Sequence, residues 1–131
     1  MLHSGDCVFY CDSTAEHLEY GTAAHWIIRS LDLVPIIWGG AGMGIELSSP
    51  DREARDDLYR SKVVVVRLGP PALLDNWALL ERETGLKHGI DFLVYSTDTV
   101  PDVGLSQVAV LVSAPEVFSA RLRQDLIELI G

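Results

Sequence analysis

The chain has 131 residues, of which 48% are hydrophobic and 22% charged, and its formal net charge is −9. This length predicts a single domain, 1–131, that buries about two-thirds of its unfolded surface. The acidic balance argues against nucleic acid as the main ligand, because phosphate binding needs clustered Lys and Arg, and no apolar stretch approaches the ~20 residues that cross a bilayer.

The first two elements are a strand and a helix. Residues 7–11 are apolar and predict the strand, and Ser13 with Glu16 forms a capping box that starts a helix at about residue 14. Cys7 and Cys11 would lie about 13 Å apart along that strand, too far for a disulfide, so we expect reduced thiols and a cytoplasmic protein. The helix repeats apolar residues on one face, namely Tyr20, Ala23, Ala24, Ile27, Ile28 and Leu31.

Two further strands follow. Residues 34–38 predict the second strand, in which Pro35 indicates a sheet edge. A glycine-rich loop, 39–44, comes next, and Ser49-Pro50-Asp51 predicts a short helix to about residue 59. Val63–Val66 is an unbroken β-branched run, which is typical of a strand buried on both faces of a parallel sheet.

The second half of the chain continues the alternation. A helix capped by Asp75 closes at Gly89, residues 91–95 and 107–112 predict two more strands, and a last helix starts near Pro115. Five strands alternating with helices predict a flavodoxin-like, doubly wound α/β fold with a parallel sheet in the order 2-1-3-4-5. The inner face of the last helix is expected to carry Val117, Leu122, Leu126, Ile127 and Ile130.

A carboxylate follows the third strand where open α/β sheets bind ligands. Residues 77–81 (Trp-Ala-Leu-Leu-Glu) begin the next helix, and Trp77 and Glu81 lie one turn apart on one face. Glu83 lies about 200° around the helix from Glu81. The same spacing also suits a solvated glutamate and a core tryptophan.

These residues carry a family resemblance. Residues 59–66 (Tyr-Arg-Ser-Lys-Val-Val-Val-Val), followed by a loop and residues 77–81, resemble the Toll/interleukin-1 receptor (TIR) domain family. In that family a helix ending in serine leads into the central strand, and the next helix carries Trp-x-x-x-Glu, then a small residue and a glycine. Gly85 and Gly89 match this register, and residues 8–13 resemble the family's opening strand and loop.

The resemblance extends to about Tyr95 and has departures. Ala78 stands where TIR domains often have cysteine, and the loop 39–44 lacks the usual Arg-Asp and Pro-Gly pairs. These differences indicate a divergent TIR-like branch of the prokaryotic defence or signalling type. Nucleoside deoxyribosyltransferases share the general layout and also place a glutamate on this helix.

Both resemblances imply cleavage of an N-glycosidic bond at a ribose. For a TIR-like domain the implied substrate is NAD, with no further cofactor, and Glu81 is the implied catalytic carboxylate. Loss of nicotinamide leaves an oxocarbenium-like ribose that a nearby anion stabilises. Nicotinamide leaves as a neutral base, so no general acid is required, and Trp77 is expected to shape the pocket.

The remaining candidate residues lie at the same predicted edge of the sheet. Asp12 and Ser13, at the end of the first strand, are expected to line the substrate site, although Ser13 also suits a helix cap. Gly39, Gly40 and Gly42 are expected to cover it, and the loop has no Gly-Lys-Ser/Thr ending of a phosphate-binding P-loop. The histidines and cysteines show no zinc spacing, so no metal is predicted.

Three functions remain open. The first is an NAD glycohydrolase that acts as a homo-oligomer through TIR-like contacts, without nucleic acid or membrane. The second is a non-catalytic, self-associating signalling module, and the third is a deoxyribosyltransferase-like enzyme. The chain suits both a complete small protein and a domain excised from a longer one.

Overall fold

The structure, a computed structural model, is an α/β fold and describes residues 2–12, 17–39, 60–68, 89–96, 110–112 and 114–130. Within these ranges the chain alternates short strands with two longer helices. The elements in chain order are β1 (Cys7–Asp12), α1 (His17–Ser30), β2 (Val34–Gly39), β3 (Val63–Leu68), β4 (Asp91–Ser96), β5 (Val110–Leu111) and α2 (Pro115–Ile130).

The strands form one parallel sheet. The four six-residue strands lie in the order β2-β1-β3-β4, and every pairing between neighbours is parallel. Beyond β4, the two residues of β5 also pair in parallel with it. The predicted α/β class and the order of the first four strands are confirmed. Of the predicted fifth strand, 107–112, the structure describes residues 110–112.

The β-branched run occupies the centre of the sheet. Val63–Val66 are at most 1% exposed and lie in β3, between β1 and β4. A strand with neighbours on both sides and cover on both faces has no solvated surface, which is why its sequence is continuously apolar. Pro35, by contrast, lies in β2, which forms an edge of the sheet, as predicted.

Both described helices pack on the same face of the sheet and against each other. Helix α1 contacts β1, β2 and α2. Its predicted apolar face is confirmed, because Tyr20, Ala24 and Ile28 are buried and the other three residues pack partly against the core. Gly21 permits close approach to β2, since a Cβ there would lie 3.3 Å from Ile37 Cγ2.

The opposite face of the sheet is equally buried. Successive side chains of a strand point to opposite faces, so β1 and β3 each supply two sets of core residues. The second set is made of Phe9, Cys11, Val64, Val66, Phe92 and Val94, all no more than 4% exposed. Cover on both faces is what a parallel sheet requires.

The predicted inner face of the last helix needs a correction. In α2, Leu122 and Leu126 are fully buried as expected, but Val117 and Ile127 are 47% and 49% exposed. Phe118, which the prediction left out, is fully buried. The buried stripe therefore starts one residue later than predicted and continues at four-residue spacing, because Phe118 enters a group of three tyrosine rings.

Two predicted helices, at 50–59 and 75–88, lie outside the described residues. Gly89, the predicted C′ glycine of the second one, is described and has a φ of 65°. This left-handed conformation costs glycine little, because it has no Cβ.

Candidate functional site

The carboxyl ends of β1 and β3 meet at the topological switch point of the sheet. The chain leaves β1 to form β2 on one side, and β3 then forms on the other side of β1. In the register of the strands, Asp12 pairs with Gly39 on β2 and with Arg67 on β3. Open α/β sheets bind ligands in the crevice at this point. The two described candidate residues, Asp12 and Gly39, are thus adjacent there.

Asp12 forms a buried ion pair with Arg67. The side chains are 0% and 1% exposed, and Arg67 Nη1 lies 3.3 Å from Asp12 Oδ2 and 3.5 Å from Oδ1. The Tyr10 hydroxyl donates a second hydrogen bond to Asp12 Oδ2 at 2.7 Å. The carboxylate is therefore held from its own strand and from β3. Direct contact between this carboxylate and a ligand would require the ion pair to open.

An aromatic ring covers the guanidinium, and a further ring packs against it. The Arg67 guanidinium carbon lies 3.6 Å from the centroid of the Tyr20 ring, a cation–π arrangement that connects β3 to α1. Phe118 of α2 packs against the Tyr20 ring at 5.3 Å and against Tyr10 at 5.9 Å between centroids. The ion pair between β1 and β3 is thus contacted by a ring of α1, and that ring is packed in turn against α2.

Two neighbouring groups that ionise elsewhere stay protonated here. Burial raises the pKa of the Tyr10 hydroxyl far above its usual range, and the negative charge of Asp12 and their hydrogen bond raise it further. Burial also raises the pKa of the Cys11 thiol, with Asp12 adding to the effect. Tyr10 therefore acts as a hydrogen-bond donor, and Cys11 does not supply a thiolate nucleophile.

A second, similarly built group joins β4 to α2. The Tyr95 hydroxyl donates to Asp125 Oδ2 at 2.7 Å, and Arg121 Nε lies 3.1 Å from Asp125 Oδ1. Here the arginine side chain is 48% exposed and the aspartate 13%. Burial, and then the hydrogen bond and charge of Asp125, raise the pKa of Tyr95 well above its usual range. Among the residues that the structure describes there are thus two Tyr–Asp–Arg groups, one buried and one partly solvated.

The other predicted site residues lie outside the described part of the chain. They are Ser13, Gly40, Gly42, Trp77 and Glu81. The sequence prediction did not include Arg67, although a signal was present. Arg67 follows Val63 and Val65 at two-residue spacing, so it is a charged residue on a buried face at the carboxyl end of the central strand. A charge at such a position needs a buried partner, and Asp12 on the neighbouring strand supplies one.

Three comparisons complete the description of the site. No protein-family model, curated protein or solved structure matches the chain. Over the ranges that the structure describes, no helix is long and apolar enough to cross a membrane. Those same ranges contain no group of three or more His, Cys, Asp or Glu residues placed to hold a metal ion.

Proposed function

We propose that the chain is a TIR-like domain that binds NAD at the carboxyl edge of its sheet and hydrolyses the bond between nicotinamide and ribose. The finer fold belongs to this proposal: a flavodoxin-like, doubly wound sheet of five strands. The observation that carries it is the strand order, since β1 and β3 lie side by side and form a switch point where such sheets bind nucleotides.

The chemistry requires one carboxylate. The bond from ribose C1′ to the nicotinamide nitrogen breaks, nicotinamide keeps the electron pair and leaves neutral, and water forms the new bond to C1′ and releases a proton. Glu81 stabilises the oxocarbenium-like ribose or holds its hydroxyls, and Trp77, one turn away, flanks the group that the carboxylate faces. No metal, further cofactor or general acid takes part.

The rest of the proposed site surrounds that carboxylate. Asp12 and Ser13 end β1 beside the site, where Ser13 lines the rim and Asp12 acts through its buried ion pair with Arg67. The glycines of the loop after β2 (Gly39, Gly40 and Gly42) cover it. Support comes from the pairing of Asp12 with Gly39, which brings the β1 end and the start of that loop together. The proposed setting is a cytoplasmic homo-oligomer in defence or signalling.

A second candidate, a non-catalytic self-association module, is favoured by a different observation. Leu18 and Trp26 of α1 are large apolar side chains that are 76% and 65% exposed. Exposed apolar side chains grouped on one element often mark contacts between proteins. The deoxyribosyltransferase-like alternative also uses Glu81, but it acts on a deoxyribonucleoside and transfers the sugar to another base instead of to water.

The test is nicotinamide release from NAD by concentrated or artificially clustered protein. Wild type is compared with Glu81→Gln, an almost isosteric change that removes the charge, and with Glu83→Gln as the matched control from the other side of the predicted helix. We expect Glu81→Gln to lower the rate by about 100-fold or more, in line with the loss of one transition-state contact, and Glu83→Gln to keep it.

Each alternative has its own outcome. Equal nicotinamide release by wild type and Glu81→Gln would show that the mechanism is wrong. Cleavage of deoxyribonucleosides without action on NAD would favour the transferase. Inactivity on both substrates, together with concentration-dependent self-association in light scattering, would favour the signalling module.

A further inference from the structure

We propose that Asp12 and Arg67 are positioning residues, whose buried ion pair joins the carboxyl ends of β1 and β3 and thereby fixes the two points from which the proposed site is built. The inference rests on the proposed function for its enzymatic consequence, but its structural part concerns the strand ends alone. Tyr10 and Tyr20 complete the device, which we call the switch-point clamp.

The register of the sheet places the clamp at the right position. Asp12 is the last residue of β1 and Arg67 the penultimate residue of β3, and the two are direct partners in the pairing of these strands. The chain continues from Asp12 into Ser13, and from β3 towards Trp77 and Glu81. An error in the separation of the two strand ends would therefore be passed to both halves of the proposed site. Displacements of about 1 Å can cost an enzyme 100-fold in rate.

Stability alone does not account for a charged pair at this position. The neighbouring positions on the same faces of these strands are apolar or tyrosine, as in Val63 and Val65, and are fully buried. Replacing a buried ion pair by apolar side chains of similar volume is often neutral or stabilising, because desolvation of the charges offsets their attraction. What a hydrogen-bonded ion pair adds is a directional contact, because hydrogen bonds weaken steeply when the donor and acceptor are misaligned.

The surrounding contacts restrict that geometry in two directions. The Tyr10 hydroxyl fixes the carboxylate from within β1 at 2.7 Å, so Asp12 cannot turn freely towards Arg67. The Tyr20 ring covers the guanidinium at 3.6 Å, and this contact fixes the distance of the guanidinium from the ring. Phe118 holds both tyrosine rings from α2. The clamp is thus itself held by the core rather than by solvent.

The test removes the charges without leaving one of them alone. In Asp12→Asn with Arg67→Met, the asparagine oxygen still accepts from Tyr10, and methionine keeps an unbranched chain against Tyr20. The matched control makes the same two changes in the other Tyr–Asp–Arg group, as Asp125→Asn with Arg121→Met. Circular dichroism and the urea midpoint establish that each variant folds. Should the double variant not fold, Tyr20→Leu takes its place, because it removes the stacked ring and leaves both charges.

Two measurements test whether the clamp holds the strand ends in position. Hydrogen exchange is followed amide by amide, and we expect at least tenfold faster exchange at the carboxyl strand ends, 11–12 and 66–68, in the clamp variant. The amino-terminal amides of the same strands, 8–9 and 63–64, should keep their wild-type rates. Nicotinamide release gives kcat/KM, which we expect to fall at least tenfold at an unchanged or higher urea midpoint. The control variant should stay within twofold of wild type in both measurements.

The outcomes separate this inference from the proposed function. Unchanged exchange at the strand ends of the clamp variant would overturn the inference, and so would faster exchange spread uniformly along both strands. If kcat/KM of the clamp variant stayed within twofold of an active wild type, the pair would be structural only and the inference wrong. If wild type released no nicotinamide, the proposed function would fail, while the exchange pattern would still decide whether the clamp exists.

Discussion

At the scale of single residues, the Asp12–Arg67 pair is the most unusual feature of the described chain. Among the described residues, Arg67 has the largest of the fully buried side chains, and the carboxylate it meets is also fully buried. Charges of this kind stay ionised inside a protein only when a partner of opposite sign lies close by. Replacing both partners by apolar residues changes the free energy of unfolding little, whereas replacing one of them lowers it strongly.

The first prediction uses this difference. Arg67→Met removes the positive charge that faces the Asp12 carboxylate and the stack on Tyr20, so we expect the free energy of unfolding to fall by about 3–5 kcal/mol. Urea denaturation followed by circular dichroism measures it. Arg121→Met, in the half-exposed pair, should cost less than about 1 kcal/mol. A loss at Arg67 no greater than that at Arg121 would contradict the buried pair.

At the scale of elements, α2 shows how a helix face is selected. Adjacent apolar residues occur three times along it, at Val117-Phe118, Leu126-Ile127 and Leu129-Ile130, so two overlapping stripes are available at helical spacing. The chosen stripe presents Phe118 to the Tyr10, Tyr20 and Tyr95 rings, at centroid distances of 5.3 to 5.9 Å. The larger side chain is buried because it removes more apolar surface from water.

The second prediction concerns this choice. Phe118→Ala should lower the free energy of unfolding by about 3–5 kcal/mol, because it leaves a cavity among three rings. Val117→Ala, on the exposed side of the same helix turn, should change it by about 0.5 kcal/mol or less. Chemical denaturation of the two variants beside wild type checks both values. A loss at Val117 equal to or greater than that at Phe118 would contradict the burial of Phe118.

At the scale of the whole molecule, stability should depend on alkaline pH. The pKa values of Tyr10, Tyr95 and Cys11 are all raised in the native state, chiefly by burial, whereas unfolded Tyr ionises near pH 10 and unfolded Cys near pH 8.5. Above those values the unfolded chain binds fewer protons than the native one. The free energy of unfolding must then fall as pH rises, and it is unaffected by these groups at neutral pH.

The third prediction follows from that sign. Each of the three groups should contribute a loss of about 1.4 kcal/mol per pH unit once its unfolded form is ionised, beginning near pH 8.5 for the thiol and near pH 10 for the tyrosines. Urea denaturation at intervals from pH 7 to pH 11 measures the slope. Cys11→Ala should remove the earlier part of the decline and leave the later part. A flat profile up to pH 11 would contradict the burial of all three groups.

The elements and their order were accessible from the amino-acid pattern alone. The run Val63–Val66 identified the central strand, Pro35 the edge, and the helical spacing from Tyr20 the inner face of α1, because hydrophobic periodicity is a local property that each segment carries by itself. Alternation of strands and helices then predicted the parallel order that the first four strands adopt.

Tertiary structure decided what depends on distant neighbours. Asp12 and Arg67 are 55 residues apart along the chain, and each reads by itself as a polar residue at the end of a strand. The pairing of β1 with β3 places them opposite each other, and the Tyr20 ring of α1 covers the guanidinium. The face of α2 was decided in the same way, since two stripes fit the helical period and the tyrosine cluster selected one. Charge pairing and ring packing act between segments, so no single segment contains them.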